Sequence, residues 1–278
     1  TEYSDKVTEK EQYSIKPIES KASLLLVDSK PSYFYNLGLI LQSNGSDNEA
    51  LRFVLDALET KNKLQDASDD SDIVSKIFEL ALKLNNFQMA YDAILKMDRS
   101  IREHPIKQFV YKLFQQNELP AVLKYQFNED FDIVDDLIYT LGETSAAGGD
   151  LQSALKYYRT SYALRLKEGD YRAAAESLYR FNCIASDKLK RKEYSDVKLL
   201  VDNYLIIFNL LHTMKTDDRW LIKRPVGIRT ETVGSRNDIS LVSNDQNKKA
   251  SQLMTFDALE NEFEQFSSDY GDGRQIVV

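Results

Sequence analysis

Cysteine is almost absent from this 278-residue chain, which contains only Cys183. No disulfide can form within the chain, and this favours a reducing compartment. The two histidines, His104 and His212, lie far apart and have none of the spacings that bind zinc. The sequence also lacks a Walker phosphate loop and a G-x-S-x-G nucleophile elbow. These absences argue against an enzyme, and we expect no catalytic residue, no metal and no cofactor.

Proline and glycine are scarce as well, with 5 and 10 residues, as expected for a largely helical chain. The longest apolar runs, residues 24–27 and 205–211, are far shorter than a membrane span. The N-terminus lacks the order of a signal peptide and begins without Met. We therefore expect a piece of a longer protein that does not insert into a membrane.

Positive charge is in deficit, since the formal net charge is −8 and the isoelectric point is about 5.0. This balance argues against a general nucleic-acid or anionic-membrane surface. A basic run at residues 188–192 is either a nuclear-localisation or RNA patch or a solvated turn. Its neighbours Glu193 and Asp196 favour the turn. Adjacent carboxylates such as Asp135 and Asp136 are expected to be solvated.

What the chain does contain is a motif that recurs at predicted helix starts. A turn of Gly, Asn or Asp precedes an apolar residue, two spacers and a small residue. The clear copies are residues 87–90, 151–154 and 171–174, and weaker copies lie at residues 47–50 and 119–122. Asp47 is expected to cap its helix. Repeated helical hairpins of this kind build α-solenoids, which present long surfaces to partners.

Apolar residues follow helical spacing over most of the chain, and almost no segment alternates with period two. The predicted fold class is all-α, an irregular α-solenoid of stacked helical hairpins. The predicted organisation has five parts: a polar N-terminal extension or linker at residues 1–20, a helical repeat domain at 21–220, an irregular or disordered link at 221–250, a C-terminal helix at 251–266 that packs on the solenoid or on a partner, and a tail at 267–278.

The segments around the predicted link carry more apolar area than a short terminal segment needs for solubility. They are candidates for a partner interface, because aromatic residues dominate binding hot spots. The alternative is that the last helix folds back and caps the core of the solenoid. The candidate interface residues are Trp220, Leu221, Ile222, Phe256, Leu259, Phe263 and Phe266.

A second set of aromatic residues supports an alternative function, a helical-repeat adaptor or lid-type scaffold subunit that holds a peptide or partner helix in a groove. Packing between adjacent helices is the simpler explanation for them. The candidate groove residues are Tyr157, Tyr158, Tyr162 and Tyr179.

Three features together resemble one family. Residues 170–174 (Asp-Tyr-Arg-Ala-Ala) open a helix, residues 219–225 (Arg-Trp-Leu-Ile-Lys-Arg-Pro) enter the link, and residues 256–263 (Phe-Asp-Ala-Leu-Glu-Asn-Glu-Phe) follow it. In this order they resemble the C-terminal α-helical domain of the large Y-complex, outer-ring coat nucleoporin. This is the hundred-and-twenty-kilodalton nucleoporin of yeasts and the hundred-and-sixty-kilodalton nucleoporin of animals. The resemblance is clearest over residues 150–266.

The resemblance implies a non-catalytic structural scaffold of the nuclear pore complex at the nuclear envelope. It implies that this domain holds the hub of the Y-shaped complex and so supports nucleocytoplasmic transport and mRNA export. The implied partners are the eighty-five-kilodalton nucleoporin with its Seh1-type propeller and the hundred-and-forty-five-kilodalton C-terminal nucleoporin with Sec13. It implies no small-molecule substrate and no direct nucleic acid.

Overall fold

The computed structural model describes four stretches of the protein: residues 29–64, 69–193, 195–224 and 251–270. The predicted extension at residues 1–20 lies outside them, as do residues 225–250 of the predicted link and residues 271–278 of the predicted tail. Contacts divide the chain into two compact units, Thr1–Asn117 and Glu118–Val278, here called unit 1 and unit 2.

Unit 1 is built from α-helices joined by short turns. Each helix buries one face against its neighbours, and the buried side chains are almost entirely apolar. The described helices of unit 1 are α1 Lys30–Ser43, α2 Asp47–Lys63, α3 Ser71–Lys83, α4 Phe87–Lys96 and α5 Glu103–Gln115.

Helices α1 and α2 approach each other closely at a glycine. A Cβ atom built on Gly38 would lie 2.6 Å from Val54 Cγ2 and 3.1 Å from the Ala50 carbonyl oxygen. Real Cβ atoms do not make contacts this short, so the absence of a side chain at Gly38 sets the spacing of the two helices.

Unit 2 combines helices with a two-stranded ribbon. Short 3-10 turns at Leu119–Lys124 and Asn128–Asp130 lead into its first helix. The described elements that follow are α6 Phe131–Ala147, α7 Leu151–Lys167, α8 Tyr171–Lys190, α9 Val197–His212, strand β1 Trp220–Lys223, strand β2 Gln252–Thr255 and α10 Phe256–Tyr270.

The three clear copies of the sequence motif begin α4, α7 and α8, as predicted. In each, the residue before the helix accepts a hydrogen bond from a backbone N–H in the first turn, at 3.0–3.3 Å. These cap residues are Asn86, Asp150 and Asp170. The residue before each cap has a positive φ, which Asn and Gly tolerate best. Turn chemistry therefore fixes where these helices start.

The two weaker copies behave differently. Residues 47–50 do begin α2, but Asp47 is its first residue and Ser46 occupies the cap position without a side-chain cap bond. The prediction that Asp47 caps the helix was therefore wrong. Residues 119–122 begin a 3-10 helix, Leu119–Lys124, and not an α-helix.

The ribbon corrects the predicted end of the chain. Strand β1 pairs antiparallel with β2, so residues 221–223 are not irregular link. The last helix begins at Phe256, since Leu253 belongs to β2 and the Thr255 hydroxyl accepts from the Ala258 N–H at 3.3 Å. The sequence does not reveal this strand, because the apolar residues that follow it have helical spacing. Its partner strand also lies about 30 residues away in the sequence.

A buried ion pair connects three helices of unit 2. Arg165 Nε and Nη2 donate to the Asp135 carboxylate at 2.9 and 2.8 Å, joining α7 to α6. Arg165 Nη1 donates to the Ala173 carbonyl and the Ser177 hydroxyl at 2.7 and 2.9 Å, joining α7 to α8. The prediction that Asp135 is solvated was wrong: it is completely buried, and its charge is compensated there.

Candidate partner interface

The ribbon places the first three candidate residues on opposite faces. Leu221 of β1 lies opposite Met254 of β2, and both are buried against unit 2. Trp220 and Ile222 alternate with Leu221 and so lie on the other face, where both are half-buried. The three consecutive residues therefore divide between the core and a partly exposed surface.

Trp220 is held by a cation beneath its ring. The Arg172 guanidinium of α8 lies 3.9 Å from the ring centroid, within range of a cation–π interaction. Arg172 Nη2 also donates to the Asp218 carboxylate at 3.1 Å and to its carbonyl oxygen at 3.2 Å. These contacts fix the entry of β1 onto α8.

Three candidate residues of α10 lie inside the core of unit 2. Leu259, Phe263 and Phe266 are buried, with exposed fractions of 1%, 4% and 7%. Phe263 lies 5.3 Å from Tyr204 and 5.5 Å from Phe208, both of α9, measured between ring centroids. These aromatic contacts pack α10 against α9.

The remaining candidate, Phe256, lies at the start of α10 and is half-buried. Its ring packs edge-to-face against Phe208 at 5.6 Å and against His212 at 4.8 Å. The Arg219 guanidinium lies 6.0 Å away. Phe256 therefore packs against the C-terminal end of α9, and part of its ring remains on the surface.

A carboxylate fastens α10 to the rest of unit 2. Glu262 accepts hydrogen bonds from the Tyr179 hydroxyl of α8 at 3.1 Å and the Tyr204 hydroxyl of α9 at 3.0 Å. It also pairs with the Lys223 ammonium of β1. Burial raises the pKa of both tyrosines far above the usual value, so each is a neutral donor. One side chain of α10 thus contacts three other elements.

A second carboxylate joins α6 to α8. Glu143 accepts from Arg180 Nε and Nη2 at 2.6 and 2.7 Å and from the Tyr158 hydroxyl at 2.6 Å. Burial acts to raise the pKa of Glu143, but the hydrogen bonds and charge of Arg180 outweigh it and hold that pKa below the usual value. Arg180 Nη1 also donates to the Arg224 carbonyl at 2.7 Å, which anchors the end of β1.

Sequence reasoning missed the polar residues that organise this region. The position of Glu262 gave a partial signal in the sequence. It lies three residues after Leu259 and one before Phe263, on the margin of the apolar face of α10. Arg172 and Glu143 gave no such signal, because their partners come from distant segments of the chain. The apolar candidates were found because their spacing is local.

The proposed tyrosine groove is not present as such. Tyr158 and Tyr179 are fully buried and hydrogen-bonded to Glu143 and Glu262, so they pack between helices instead of lining an open groove. Tyr157 and Tyr162 are half-buried. The simpler explanation, packing between adjacent helices, holds for the two central tyrosines.

An open groove of about 730 Å³ does lie between the end of α8 and α10. Its lining carries charges of both signs, including Lys190, Asp187 and Asp269. Cys183 also lines it, and burial raises the pKa of that thiol to about 11. The thiol is therefore protonated at neutral pH and is a poor nucleophile.

The basic run divides between the last turn of α8, which holds Lys188 and Lys190, and the turn that follows it, which holds Arg191 and Lys192. Arg191 pairs with Asp187 at 2.8 Å and Lys188 with Glu193 at 3.8 Å, and the Arg191–Asp187 pair is largely exposed. Among residues 29–64, 69–193, 195–224 and 251–270, no group of three acidic, histidine or cysteine side chains could hold a metal ion. Within the same stretches, no helix is long and apolar enough to cross a membrane.

Comparison with known proteins identifies related sequences. A family described as Nucleoporin Nup120, HEAT repeats, matches residues 2–115. Nucleoporin NUP120 of Chaetomium thermophilum is 22% identical over 158 residues, which are 55% of this chain and 12% of that protein. The chain thus spans a small part of this relative. The family match lies before residues 150–266, where the sequence resemblance was clearest.

These similarities confirm the predicted resemblance to the large Y-complex nucleoporin of the Nup120 type. HEAT repeats are stacked helix pairs, and the described helices with their single small ribbon fit them, so the predicted all-α solenoid class is also confirmed. The similarity supports a scaffold role at the nuclear pore complex, and this family implies a structural, non-catalytic protein.

Proposed function

We propose that this chain is the part of a Nup120-type nucleoporin that holds the hub of the Y-shaped coat complex. In this position it supports nucleocytoplasmic transport and mRNA export without catalysing a reaction. The observation that carries the proposal is the HEAT-repeat match to the Nup120 family, combined with a unit 2 whose C-terminal elements are fastened by buried polar contacts. C-terminal elements that are fastened to one another in this way suit a junction on which large folded partners converge.

The proposed partners are the C-terminal helical portions of the eighty-five-kilodalton nucleoporin, with its Seh1-type propeller, and of the hundred-and-forty-five-kilodalton C-terminal nucleoporin, with Sec13. The candidate interface divides into two groups. Trp220, Ile222 and Phe256 keep exposed area for a direct contact. The other four candidates, which are buried, support that surface from beneath and contact a partner only if α10 opens.

The experiment that tests the proposal mixes this chain with both partner fragments and measures the mass of the eluting species by light scattering. We expect a stable ternary species. A folded chain that elutes alone beside both partners, with its helicity verified by circular dichroism, would contradict the hub assignment.

The interface is tested by Ile222→Ser, which should weaken assembly, because it removes half-buried apolar area from β1. Leu95→Ser in unit 1 is a matched control, since Leu95 is a similarly sized side chain that is 44% exposed. Truncation after residue 250 should weaken assembly more strongly, because it removes β2 and α10. Equal assembly by the truncated chain would remove the C-terminal segment from the interface.

The alternative function is an adaptor that holds an extended peptide or partner helix in a groove. The groove beside α10 is the feature that still supports it. A groove binder would bind a short peptide without any large folded partner. A hub subunit would require the folded partners. The light-scattering experiment therefore distinguishes the two functions.

A further inference from the structure

The two outer edges of the β1–β2 ribbon differ in the partners of their backbone groups. On β1, the Ile222 N–H donates to the Glu176 carboxylate of α8 at 3.1 Å, so this edge lies against α8. In an antiparallel pair, the N–H and C=O groups of one residue point to the same side. Ile222 and its partner Leu253 therefore form a non-hydrogen-bonded pair, and the backbone polar groups of Leu253 point away from β1.

The outer edge of β2 is consequently a row of backbone groups that face outward. The amide of Thr255, two residues after Leu253, points the same way. In the part of the chain that the structure describes, no backbone group bonds to either amide. The side chain of Leu253 is 59% exposed. An open strand edge beside an exposed leucine is a template for a further strand.

Charge beyond the strand indicates what kind of segment fits. Asp257, Glu260 and Glu264 follow β2 on one exposed face of α10. In the described stretches, none of the three pairs with a lysine or arginine. A basic side chain at the end of an added strand would compensate charge that α10 leaves on its surface.

We propose that the outer edge of β2 binds an extended segment of a partner protein by strand addition. The segment pairs with the backbone of Leu253 and Thr255, covers Leu253 with an apolar side chain and places a basic residue near Asp257 and Glu260. The backbone bonds supply adhesion, and the alternate side chains and the charge supply specificity. This inference rests on the proposed scaffold function, since the partner is a neighbouring coat protein.

Residue-resolved amide hydrogen exchange on the whole chain tests this inference, with and without the two partner fragments of the light-scattering experiment. In the free chain the Met254 amide, which bonds within the ribbon, should exchange slowly, and the amides of Leu253 and Thr255 should exchange fast. In the complex we expect both outward amides to slow by at least roughly tenfold.

A pair of substitutions separates the backbone from the side chain. Leu253→Pro removes the outward N–H but no bond to β1, whereas Leu253→Ala removes the exposed side chain and keeps the N–H. We expect the proline variant to bind at least roughly tenfold more weakly than the alanine variant. Unchanged fluorescence of Trp220 in the free proline variant would show that its ribbon is intact.

Each contrary result overturns a defined claim. Assembly without slowed exchange at Leu253 and Thr255, or equal binding by the proline and alanine variants, overturns strand addition and leaves the hub function standing. Slow exchange at both amides in the free chain would show that another part of this chain covers the edge, which also overturns it. Failure of the unmodified chain to assemble overturns both proposals.

Discussion

The two units differ in the kind of side chains that they bury between their helices. Among the described residues of unit 1, Lys61 is the one buried polar or charged side chain. Unit 2 buries several, including Asp135, Arg165 and Arg180. The side-chain bonds between helices of unit 1, such as Lys83 with Asp47, lie on its surface. Those of unit 2 include a fully buried ion pair and a network around Glu262.

This difference indicates what each unit requires from its sequence. The apolar interfaces of unit 1 require side chains of suitable size at suitable spacing, as the close approach at Gly38 shows. The buried ion pair of unit 2 adds a second requirement, because a shift that separates its two charges leaves each of them uncompensated. We infer that unit 2 is fixed in one arrangement, which matters most where a strand and helix α10 from distant sequence must meet α8 and α9.

The largest expected effect is that of Arg165→Met. It leaves the buried carboxylate of Asp135 uncompensated and should lower the free energy of unfolding by about 3–5 kcal/mol. Urea unfolding followed by the fluorescence of Trp220, the one tryptophan of the chain, reports on unit 2.

Two controls sharpen this prediction. Lys76→Met in unit 1 breaks a surface pair with Glu79 and should change stability by less than about 1 kcal/mol. The double variant Asp135→Leu with Arg165→Met should recover most of the loss, since an apolar pair replaces a buried ion pair without an unpaired charge. A double variant as unstable as Arg165→Met would contradict the assignment to charge.

An intermediate effect is expected for Glu262→Ala. It removes the acceptor shared by Tyr179, Tyr204 and Lys223, and should destabilise α10 by about 2 kcal/mol, because water reaches only part of the site. Amide exchange should quicken across α10 and remain unchanged in α6. Glu260→Ala, on the exposed face of the same helix, is the matched control and should have almost no effect.

A smaller effect is expected in unit 1 for Gly38→Ala. In a helix this change is ordinarily favourable by about 1 kcal/mol, but here the new methyl group meets Val54. Overpacking costs about 1–3 kcal/mol, so the net change should be a destabilisation of about 1 kcal/mol. Thermal unfolding followed by circular dichroism measures it, and adding Val54→Ala should relieve the clash. A stabilised single variant would show that α1 and α2 can move apart.

The smallest expected effect is the pH dependence of stability that arises from Cys183. Its pKa in the folded chain is about 11, above the value of about 8.5 for an unfolded cysteine. The folded state therefore holds the proton more tightly, and this contribution to stability is full below about pH 8.5 and falls as pH rises toward 11. At pH 8, iodoacetamide should modify the folded chain roughly 100-fold more slowly than the urea-unfolded chain. Equal rates would contradict the raised pKa of the thiol.

Local patterns predicted a large part of the fold. The Asn-Asn and Gly-Asp turns located the starts of α4, α7 and α8, because capping depends on residues within one turn. The apolar spacing of α10 identified Leu259, Phe263 and Phe266 as a set. The ribbon was not predicted, because strand β2 is four residues long and its partner lies across the predicted link.

The same distinction applies to the candidate interface. The sequence alone determined that the C-terminal segments are rich in apolar area and that they resemble a coat nucleoporin. Only the tertiary structure decided which of those residues keep exposed area, since it buries Leu221 in the core and leaves Trp220 and Ile222 half-buried. It also decided that Asp135 pairs with Arg165 and Glu262 with two tyrosines. Helix caps and periodicity are local and can be read along a chain, whereas burial and charge pairing depend on neighbours that only folding brings together.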